Sequence, residues 1–182
     1  ETLSRITDWE DRNTCVLFAD GAGAAILKPS EDPGIIYSKL GANGAYSDLL
    51  YVPYGTSKRP LKEQRNDNFL QMKGNEVFKV AVKTLESIAK DSLKEVNMTS
   101  EDIDWFIPHQ ANIRIIQAVS KRLNIPEKKV IISLTDHGNT SAASIPLALD
   151  QSIREGKIKT GDTVLLQSFG AGFTWGTVII KI

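Results

Sequence analysis

The 182-residue sequence has the composition of a globular protein and no charge excess. Apolar side chains make up 41% of the residues and charged side chains 24%, both ordinary for such proteins. The 22 basic and 22 acidic residues cancel, which argues against a nucleic-acid-binding surface, because such a surface requires a basic excess. No apolar run reaches the roughly 18 residues that a transmembrane helix needs.

A single cysteine and the first residue bear on the cellular setting of the chain. Cys15 stands alone, so an internal disulfide is excluded and a reducing, cytoplasmic location is favoured. The chain begins at Glu1 rather than at a methionine, and its polar start leads directly into a strand pattern. We therefore expect these residues to begin inside a larger protein.

The N-terminal part of the sequence predicts two strands, Thr14–Phe18 and Ala22–Leu27. The Gly21-Ala22-Gly23 step between them resembles part of a phosphate-binding loop. It lacks a third glycine and a following helix, so a nucleotide site is disfavoured. Cys15 falls inside the first strand without a basic neighbour, which favours an inert thiol over a nucleophile.

The middle of the sequence predicts a strand, a loop and a long helix. The strand covers Gly34–Ser38, and an extended loop without periodicity follows from Gly41 to Arg65. Apolar residues at helical spacing then predict a helix over Met72–Val96. Asn75 lies near the start of this helix, where asparagine is a favoured N-cap.

The second half alternates strands with helices. The predicted order is a strand at Trp105–Ile107, a helix from Asn112, a strand at Val130–Ile132, a helix from Ser141, a strand at Val164–Leu166 and a strand at Thr177–Ile182. This alternation predicts an α/β fold in which helices cover a largely parallel sheet.

Three loops that follow predicted strands carry candidate chemistry. One holds His109, one holds Asn139 and one is Gly170-Ala171-Gly172. In an open α/β sheet such loops converge at the C-terminal edge of the strands. An imidazole N–H and a carboxamide N–H aimed at one oxygen form an oxyanion site without a positive charge. This pair therefore suits a developing enolate or a tetrahedral thioester adduct.

Simpler interpretations of these residues stay open at the level of the sequence. A histidine in a turn is often structural, and an asparagine before a helix is often only a cap. His137 lies beside Asn139 and competes with His109 for the catalytic role, although its turn context ranks it lower. Two histidines and one cysteine lack metal-ligand spacing, so we expect no metal site.

Five segments of this sequence form long motifs: IPHQAN (107–112), HGNTSAAS (137–144), FGAGFTWG (169–176), DRNTCVLFADGAGA (11–24) and GNEVFK (74–79). Together they resemble one enzyme family, the β-ketoacyl-acyl-carrier-protein synthases III. The resemblance extends from Asp11 to Ile182 and is far more specific than a short motif.

The resemblance implies a fold, an assembly and a reaction. The fold is thiolase-like, an αβαβα layered structure of two similar halves, with residues 1–34 ending the first half and residues 35–182 forming the second. The enzyme is a homodimeric acyltransferase that begins type II fatty-acid synthesis. It moves an acyl group from coenzyme A, with acetyl-CoA as the expected donor, to a cysteine and condenses it with malonyl-acyl-carrier protein. Neither a metal nor another cofactor is implied.

The resemblance also assigns roles to individual residues. His109 and Asn139 would donate hydrogen bonds to the malonyl thioester carbonyl, and the Ala171 backbone N–H would lie in the oxyanion hole. Glycine is usual at the Ala171 position, so the alanine is a departure whose methyl group could crowd the acyl pocket. Phe169 would form a wall of that pocket.

Two further sets of residues would bind the substrates. The residues matching the pantetheine tunnel are Gly74, Asn75, Phe78, Ala111 and Asn112. The residues matching the basic patch for acyl carrier protein are Lys79, Arg114, Lys121 and Arg122. A solvated basic helix face is the alternative interpretation of the second set.

The resemblance leaves the nucleophile unassigned in this sequence. The acylated cysteine of the family lies upstream of Glu1, whereas Cys15 matches a non-catalytic strand position. We therefore expect condensation to need an N-terminal portion of the same enzyme. Two alternatives stay open, a related Cys-His-Asn condensing enzyme of secondary metabolism and a non-catalytic fragment for carrier-protein docking or dimerisation.

Overall fold

The structure, a computed structural model, describes residues 1–32, 34–53 and 69–182. The regular elements in these ranges are β1 (Ile35–Ala42), β2 (Leu50–Tyr51), β3 (Gln71–Met72), α1 (Gly74–Glu95), β4 (Trp105–Pro108), α2 (Ile113–Arg122), α3 (Leu134–His137), α4 (Ser144–Arg154), β5 (Thr163–Gly170) and β6 (Thr174–Lys181).

Four strands form the central sheet in the order β1–β6–β5–β4. β4 and β5 are parallel, whereas β5–β6 and β6–β1 are antiparallel. The prediction of a largely parallel sheet is therefore wrong for the described residues. The connection from Gly170 to Thr174 is too short for a crossover, so β6 must return beside β5 in the opposite direction.

Helices cover both faces of this sheet because successive strand residues point to opposite sides. Leu165 of β5 belongs to a core cluster with residues of α1 and with Val119 of α2. Val164, the preceding residue, packs in a second cluster with Ala148 of α4. The result is a three-layer arrangement, with α1 and α2 on one face and α4 on the other.

The long helix α1 agrees with its prediction to within two residues at each end. Its buried stripe includes Val77, Ala81, Val82, Leu85, Ile88, Ala89 and Leu93. The predicted cap is wrong, because the N-cap residue is Lys73 and no side chain caps this end. Asn75 lies one position inside the helix and is exposed, so its side chain is free of a capping role.

The two predicted N-terminal strands do not form. Residues 22–27 have no regular structure, with Ile26 97% and Leu27 78% exposed. Phe18 makes only a single bridge, to Asn139. A strand requires a neighbour for its backbone hydrogen bonds. Leu17 and Ala19 bond to the backbone of Asn139 alone on the opposite side, and no described backbone hydrogen bond involves residues 22–27. Cys15 accordingly lies in a turn, half-buried, rather than inside a strand.

Two other predictions were wrong in part. Val130–Ile132 forms only one bridge, Val130 to Phe106, instead of a strand. β1 continues through Ala42, and β2 interrupts the loop predicted for Gly41–Arg65, whose residues 54–65 lie outside the described ranges. Within the described ranges, no helix combines the length and the apolar character needed to cross a membrane.

Candidate active site

His109 lies in the turn that joins β4 to α2, in agreement with the sequence prediction. Its backbone N–H donates to the carbonyl of Gln167 on β5 at 2.7 Å, which extends the parallel pairing one residue beyond Pro108. On the other side, the Asn112 side chain accepts a hydrogen bond from Arg114 N at 2.8 Å and caps α2. Strand pairing and helix capping together fix the backbone of this turn.

Gln110 is fully buried and uses both ends of its carboxamide. Its partners are the carbonyl oxygens of Pro108 (2.7 Å) and Ile131 (3.3 Å) and the backbone N–H groups of Ser133 (2.9 Å) and Leu134 (3.2 Å). Through these bonds the side chain ties the His109 turn to the segment before the Asn139 loop. Gln110 was not among the residues predicted from the sequence, although a carboxamide two positions after a buried strand was a visible signal.

Ser144, the first residue of α4, is a second link between the two loops. Its hydroxyl oxygen lies 2.6 Å from His109 Nδ1 and accepts a hydrogen bond from the backbone N–H of Gln110 at 3.2 Å. Since Ser144 follows Asn139 by five residues (144 − 139), this contact brings the Asn139 segment against the His109 turn. No pattern in the sequence indicated the pair.

Backbone hydrogen bonds anchor Asn139 to the N-terminal part of the chain. Its N–H donates to Leu17 O at 3.0 Å, and its carbonyl accepts from Ala19 N at 2.8 Å. Gly138, immediately before it, has φ +69°, and a Cβ there would lie 2.9 Å from the Cβ of Ala19. A glycine is therefore required for the two segments to approach this closely.

The Asn139 side chain is oriented by its own loop. Its Oδ1 accepts the backbone N–H of Ser141 at 3.0 Å, and the residue is only 7% exposed. Ser141 itself has φ +52°, an uncommon conformation for serine. With Oδ1 engaged, the carboxamide presents its N–H₂ group as the remaining hydrogen-bonding group.

Burial keeps the His109 imidazole uncharged. The ring lies largely beneath the surface, and this desolvation lowers its pKa to about 4. At neutral pH the ring therefore has one N–H donor and one acceptor nitrogen, which is the state needed to donate to an oxyanion without transferring a proton. His137, the alternative histidine, is the last residue of α3, and its ring makes no hydrogen bond within the described part of the chain.

We predict that His109 stays neutral well below pH 6.5. Its folded-state pKa lies below the ordinary value of 6.5, so the unfolded state binds the proton first as the pH falls. Above pH 6.5 the titration of His109 therefore does not change the free energy of unfolding. As the pH falls from 6.5 to about 4, it lowers the free energy of unfolding progressively. NMR titration of the ring should give a midpoint near the lower value, and a midpoint near 6.5 would contradict the burial argument.

The third predicted loop is the tight connection between β5 and β6. Ala171 is exposed, and its backbone N–H has no partner among the described hydrogen bonds, whereas its carbonyl accepts from Thr174 Oγ1 at 3.3 Å. Gly172 has φ +137°, a conformation for which glycine is required. Phe169 lies beneath the loop, 8% exposed and 4.6 Å from Phe173 between ring centroids.

The residues predicted for the pantetheine tunnel occupy the start of α1 and the His109 turn. Gly74 and Asn75 are exposed at the first turn of α1, and Phe78 is half-buried one turn later. Ala111 N donates to His109 O at 2.9 Å. Two of the predicted tunnel residues, Ala111 and Asn112, therefore lie in the same turn as His109.

The residues predicted for the basic patch have different surroundings. The Arg114 guanidinium lies over the Phe78 ring, 5.5 Å from its centroid. Arg122 instead pairs with Glu86 at 2.7 Å, and this carboxylate also pairs with Lys90. Lys79 and Lys121 are exposed and form no ion pair within the described residues. Arg122 is therefore the member of this set that is paired with a carboxylate.

Comparison with known proteins places this fold in a recognised class. The model for the 3-oxoacyl-[acyl-carrier-protein] synthase III C terminal matches residues 93–182, and the 3-oxoacyl-[acyl-carrier-protein] synthase III model matches residues 1–44. The β-ketoacyl-[acyl-carrier-protein] synthases III of Alkalilimnicola ehrlichii and Vesicomyosocius okutanii are 53% and 54% identical over 181 residues. Each match covers all of this chain but 56% and 55% of the relative.

A solved structure agrees with the sequence relatives. The crystal structure of 3-oxoacyl-[acyl-carrier-protein] synthase III from Aquifex aeolicus superimposes with a TM-score of 0.90 at 44% identity, covering 99% of this chain and 55% of that one. The fold is thus that of the thiolase-like condensing enzymes. Within that class, the chain belongs to the β-ketoacyl-acyl-carrier-protein synthase III family. It spans about half the length of the curated relatives it matches.

Proposed function

We propose that this chain carries the decarboxylation half of a ketoacyl synthase site, which condenses an acyl-CoA with malonyl-acyl-carrier protein. The supporting observation is the pair of uncharged donors. His109 is neutral because burial lowers its pKa to about 4, and the Asn139 oxygen is engaged by Ser141 N. The names of the relatives favour this role over secondary metabolism or a non-catalytic docking fragment.

The two donors act on the malonyl thioester. As the bond to the carboxylate breaks, its electron pair moves into the thioester carbonyl, CO₂ departs and an enolate oxygen forms. The ring N–H of His109 and the N–H₂ of Asn139 donate to this oxygen and stabilise the charge as it develops. A neutral imidazole suits the step, because an imidazolium would protonate the enolate before it could attack.

The condensation step completes the exchange of bonds. The enolate carbon attacks the carbonyl of an acyl-cysteine thioester, and the tetrahedral oxyanion accepts the backbone N–H of Ala171. Collapse of this intermediate breaks the carbon–sulfur bond, so the cysteine leaves as a thiolate and the 3-oxoacyl product stays on the carrier. Neutral hydrogen-bond donors are sufficient for both steps, so the proposal includes no metal or prosthetic group.

The cysteine in this proposal comes from outside the 182 residues. Cys15 is the single cysteine of the chain and lies in a turn next to the segment that anchors Asn139 by its backbone. We propose that residues 1–34 end the first half of the enzyme, that residues 35–182 form the second, and that the complete enzyme is a homodimer.

The test uses the complete natural polypeptide that contains this sequence. Incubation with malonyl-acyl-carrier protein alone should yield acetyl-acyl-carrier protein, and addition of acetyl-CoA should yield the 3-oxobutanoyl product, both followed by mass spectrometry. Profiling a series of acyl-CoA donors then identifies the preferred starter. Absence of both products would overturn the proposed function.

Carrier-protein binding should depend more on Arg114 than on Arg122. The Arg114 guanidinium makes no carboxylate pair within the described residues, whereas Arg122 is held by Glu86. We predict that Arg114→Ala raises KM for the carrier-bound substrate about tenfold with kcat little changed, and that Arg122→Ala raises it less than about threefold. Steady-state kinetics at two salt concentrations measures both.

A matched control comes from the opposite layer of the fold. Arg154 on α4 is an exposed arginine paired with Asp150 at 2.7 Å, and Arg154→Ala should leave KM unchanged. An equal rise in KM for Arg114→Ala and Arg154→Ala would mean that only net charge matters, which would refute a localised docking patch.

A further inference from the structure

The Ser144 side chain is in hydrogen-bond contact with the imidazole ring of His109. It is 2% exposed, and its hydroxyl oxygen lies between two groups of the same turn. One is His109 Nδ1 at 2.6 Å and the other is the backbone N–H of Gln110 at 3.2 Å. The short distance to the ring nitrogen requires that one of the two groups donates a proton to the other.

The protons in this cluster can be assigned by counting donors and acceptors. A backbone N–H can only donate, so the Ser144 oxygen is the acceptor for Gln110 N. The single hydroxyl proton then needs an acceptor, and within the described residues His109 Nδ1 is the one in contact. A Ser144 hydroxyl that donates to Nδ1 makes Nδ1 an acceptor, so the ring proton must be on Nε2.

The opposite tautomer leaves two groups unsatisfied. With a proton on Nδ1, the ring would donate to Ser144 Oγ, and the buried hydroxyl proton would have no acceptor among the described contacts. Nε2 would then be a bare acceptor and could not donate to an enolate oxygen. A buried donor without a partner is unfavourable, so the hydrogen-bond geometry selects the tautomer with the proton on Nε2.

We propose that Ser144 is a positioning residue that holds His109 as the Nε2–H tautomer and fixes the ring plane for donation to the substrate oxygen. This inference rests on the proposed function for its catalytic consequence. Gln110 supports the arrangement, because its buried carboxamide fixes the backbone N–H that the Ser144 oxygen accepts. The Ser144 hydroxyl itself does not contact the substrate in this proposal.

The primary test is the tautomer in the complete natural polypeptide labelled with ¹⁵N-histidine. We expect the His109 signal, assigned by its loss in His109→Gln, to show a protonated Nε2 and an unprotonated Nδ1. Ser144→Ala should increase the Nδ1–H population. It should also lower kcat for malonyl decarboxylation about 10- to 100-fold, by analogy with the loss seen when the partner that orients a metal-ligating histidine is removed, with KM within about twofold.

Ser152→Ala is the matched control. Ser152 is another buried serine of α4, also 2% exposed, whereas the described hydrogen bond to the His109 ring comes from Ser144. The control should change neither the tautomer nor kcat. Because the wild-type tautomer is measured without the Ser144 variant, it still tests the proposal if Ser144→Ala fails to fold.

Each outcome has a separate meaning. An Nδ1–H tautomer in the wild-type protein, or a Ser144→Ala variant with unchanged tautomer and kcat, would overturn the proposal. A wild-type polypeptide that decarboxylates no malonyl-acyl-carrier protein would instead overturn the proposed function. The two failures are distinguishable, because the tautomer is read without substrate.

Discussion

His109→Ala in the complete polypeptide is expected to lower the rate of malonyl decarboxylation by about 100- to 1,000-fold, the usual loss for one oxyanion donor. The variant removes one of two neutral donors and leaves Asn139 in its loop. The developing charge on the thioester oxygen is then stabilised by one of the two proposed donors instead of both. KM should change little, because the hydrogen bond gains strength mainly as the enolate forms.

The chain has its own control for this experiment in His137. That residue is the other histidine of the 182, lies two positions before Asn139 and was the competing candidate in the sequence. His137→Ala should retain most of the wild-type rate. The reverse pattern, with activity lost in His137→Ala and kept in His109→Ala, would assign the imidazole donor to His137. Thermal unfolding of both variants checks that the fold is intact.

Gln110→Glu is expected to lower the free energy of unfolding at pH 7 by about 3 kcal/mol or more. The wild-type Nε2 donates to two carbonyl oxygens, Pro108 O and Ile131 O, inside a fully buried site. A carboxylate oxygen at that position cannot donate a hydrogen bond, so it would lie against two carbonyl oxygens that are also only acceptors. It would also carry a charge without a cationic partner.

The pH dependence distinguishes this mechanism from a packing defect. Burial and the facing carbonyls must raise the pKa of the introduced carboxyl above its unfolded value. The stability loss is therefore largest at high pH and shrinks as the pH falls through the raised pKa, because a protonated carboxyl can donate to one carbonyl. Denaturant titrations at several pH values measure this trend.

Gln117→Glu is the matched substitution at an exposed position. Gln117 lies on the solvent side of α2, and the same change there should alter stability by no more than about 0.5 kcal/mol. Equal losses for Gln110→Glu and Gln117→Glu, or a loss at Gln110 that does not depend on pH, would contradict the assigned role of the buried carboxamide.

The incorrectly predicted strands have a common physical cause, which is that a strand depends on its neighbours. Ala22–Leu27 has the composition of a strand, but a strand exists only when another segment accepts its hydrogen bonds. Val130–Ile132 likewise has one bridge partner and no ladder. The antiparallel return of β6 became evident only in the structure, where three residues separate β5 from β6 and allow only a hairpin. The predicted strands ended at Leu166 and began at Thr177, a gap that does not require one.

Local interactions are the part of this protein that the amino-acid sequence determined by itself. The apolar stripe of α1 and the cap of α2 at Asn112 depend on residues a few positions apart. Residues this close in sequence meet whatever the rest of the chain does.

Only the tertiary structure decided how the His109 turn is joined to the Asn139 loop and that the His109 imidazole is neutral. Ser144 lies 35 positions from His109, and Gln110 bonds to residues 21 to 24 positions away. Burial, which keeps the imidazole neutral, arises from the layers packed around it. Such pairings depend on the relative placement of several elements, and the free energy that selects that placement is distributed over the whole core.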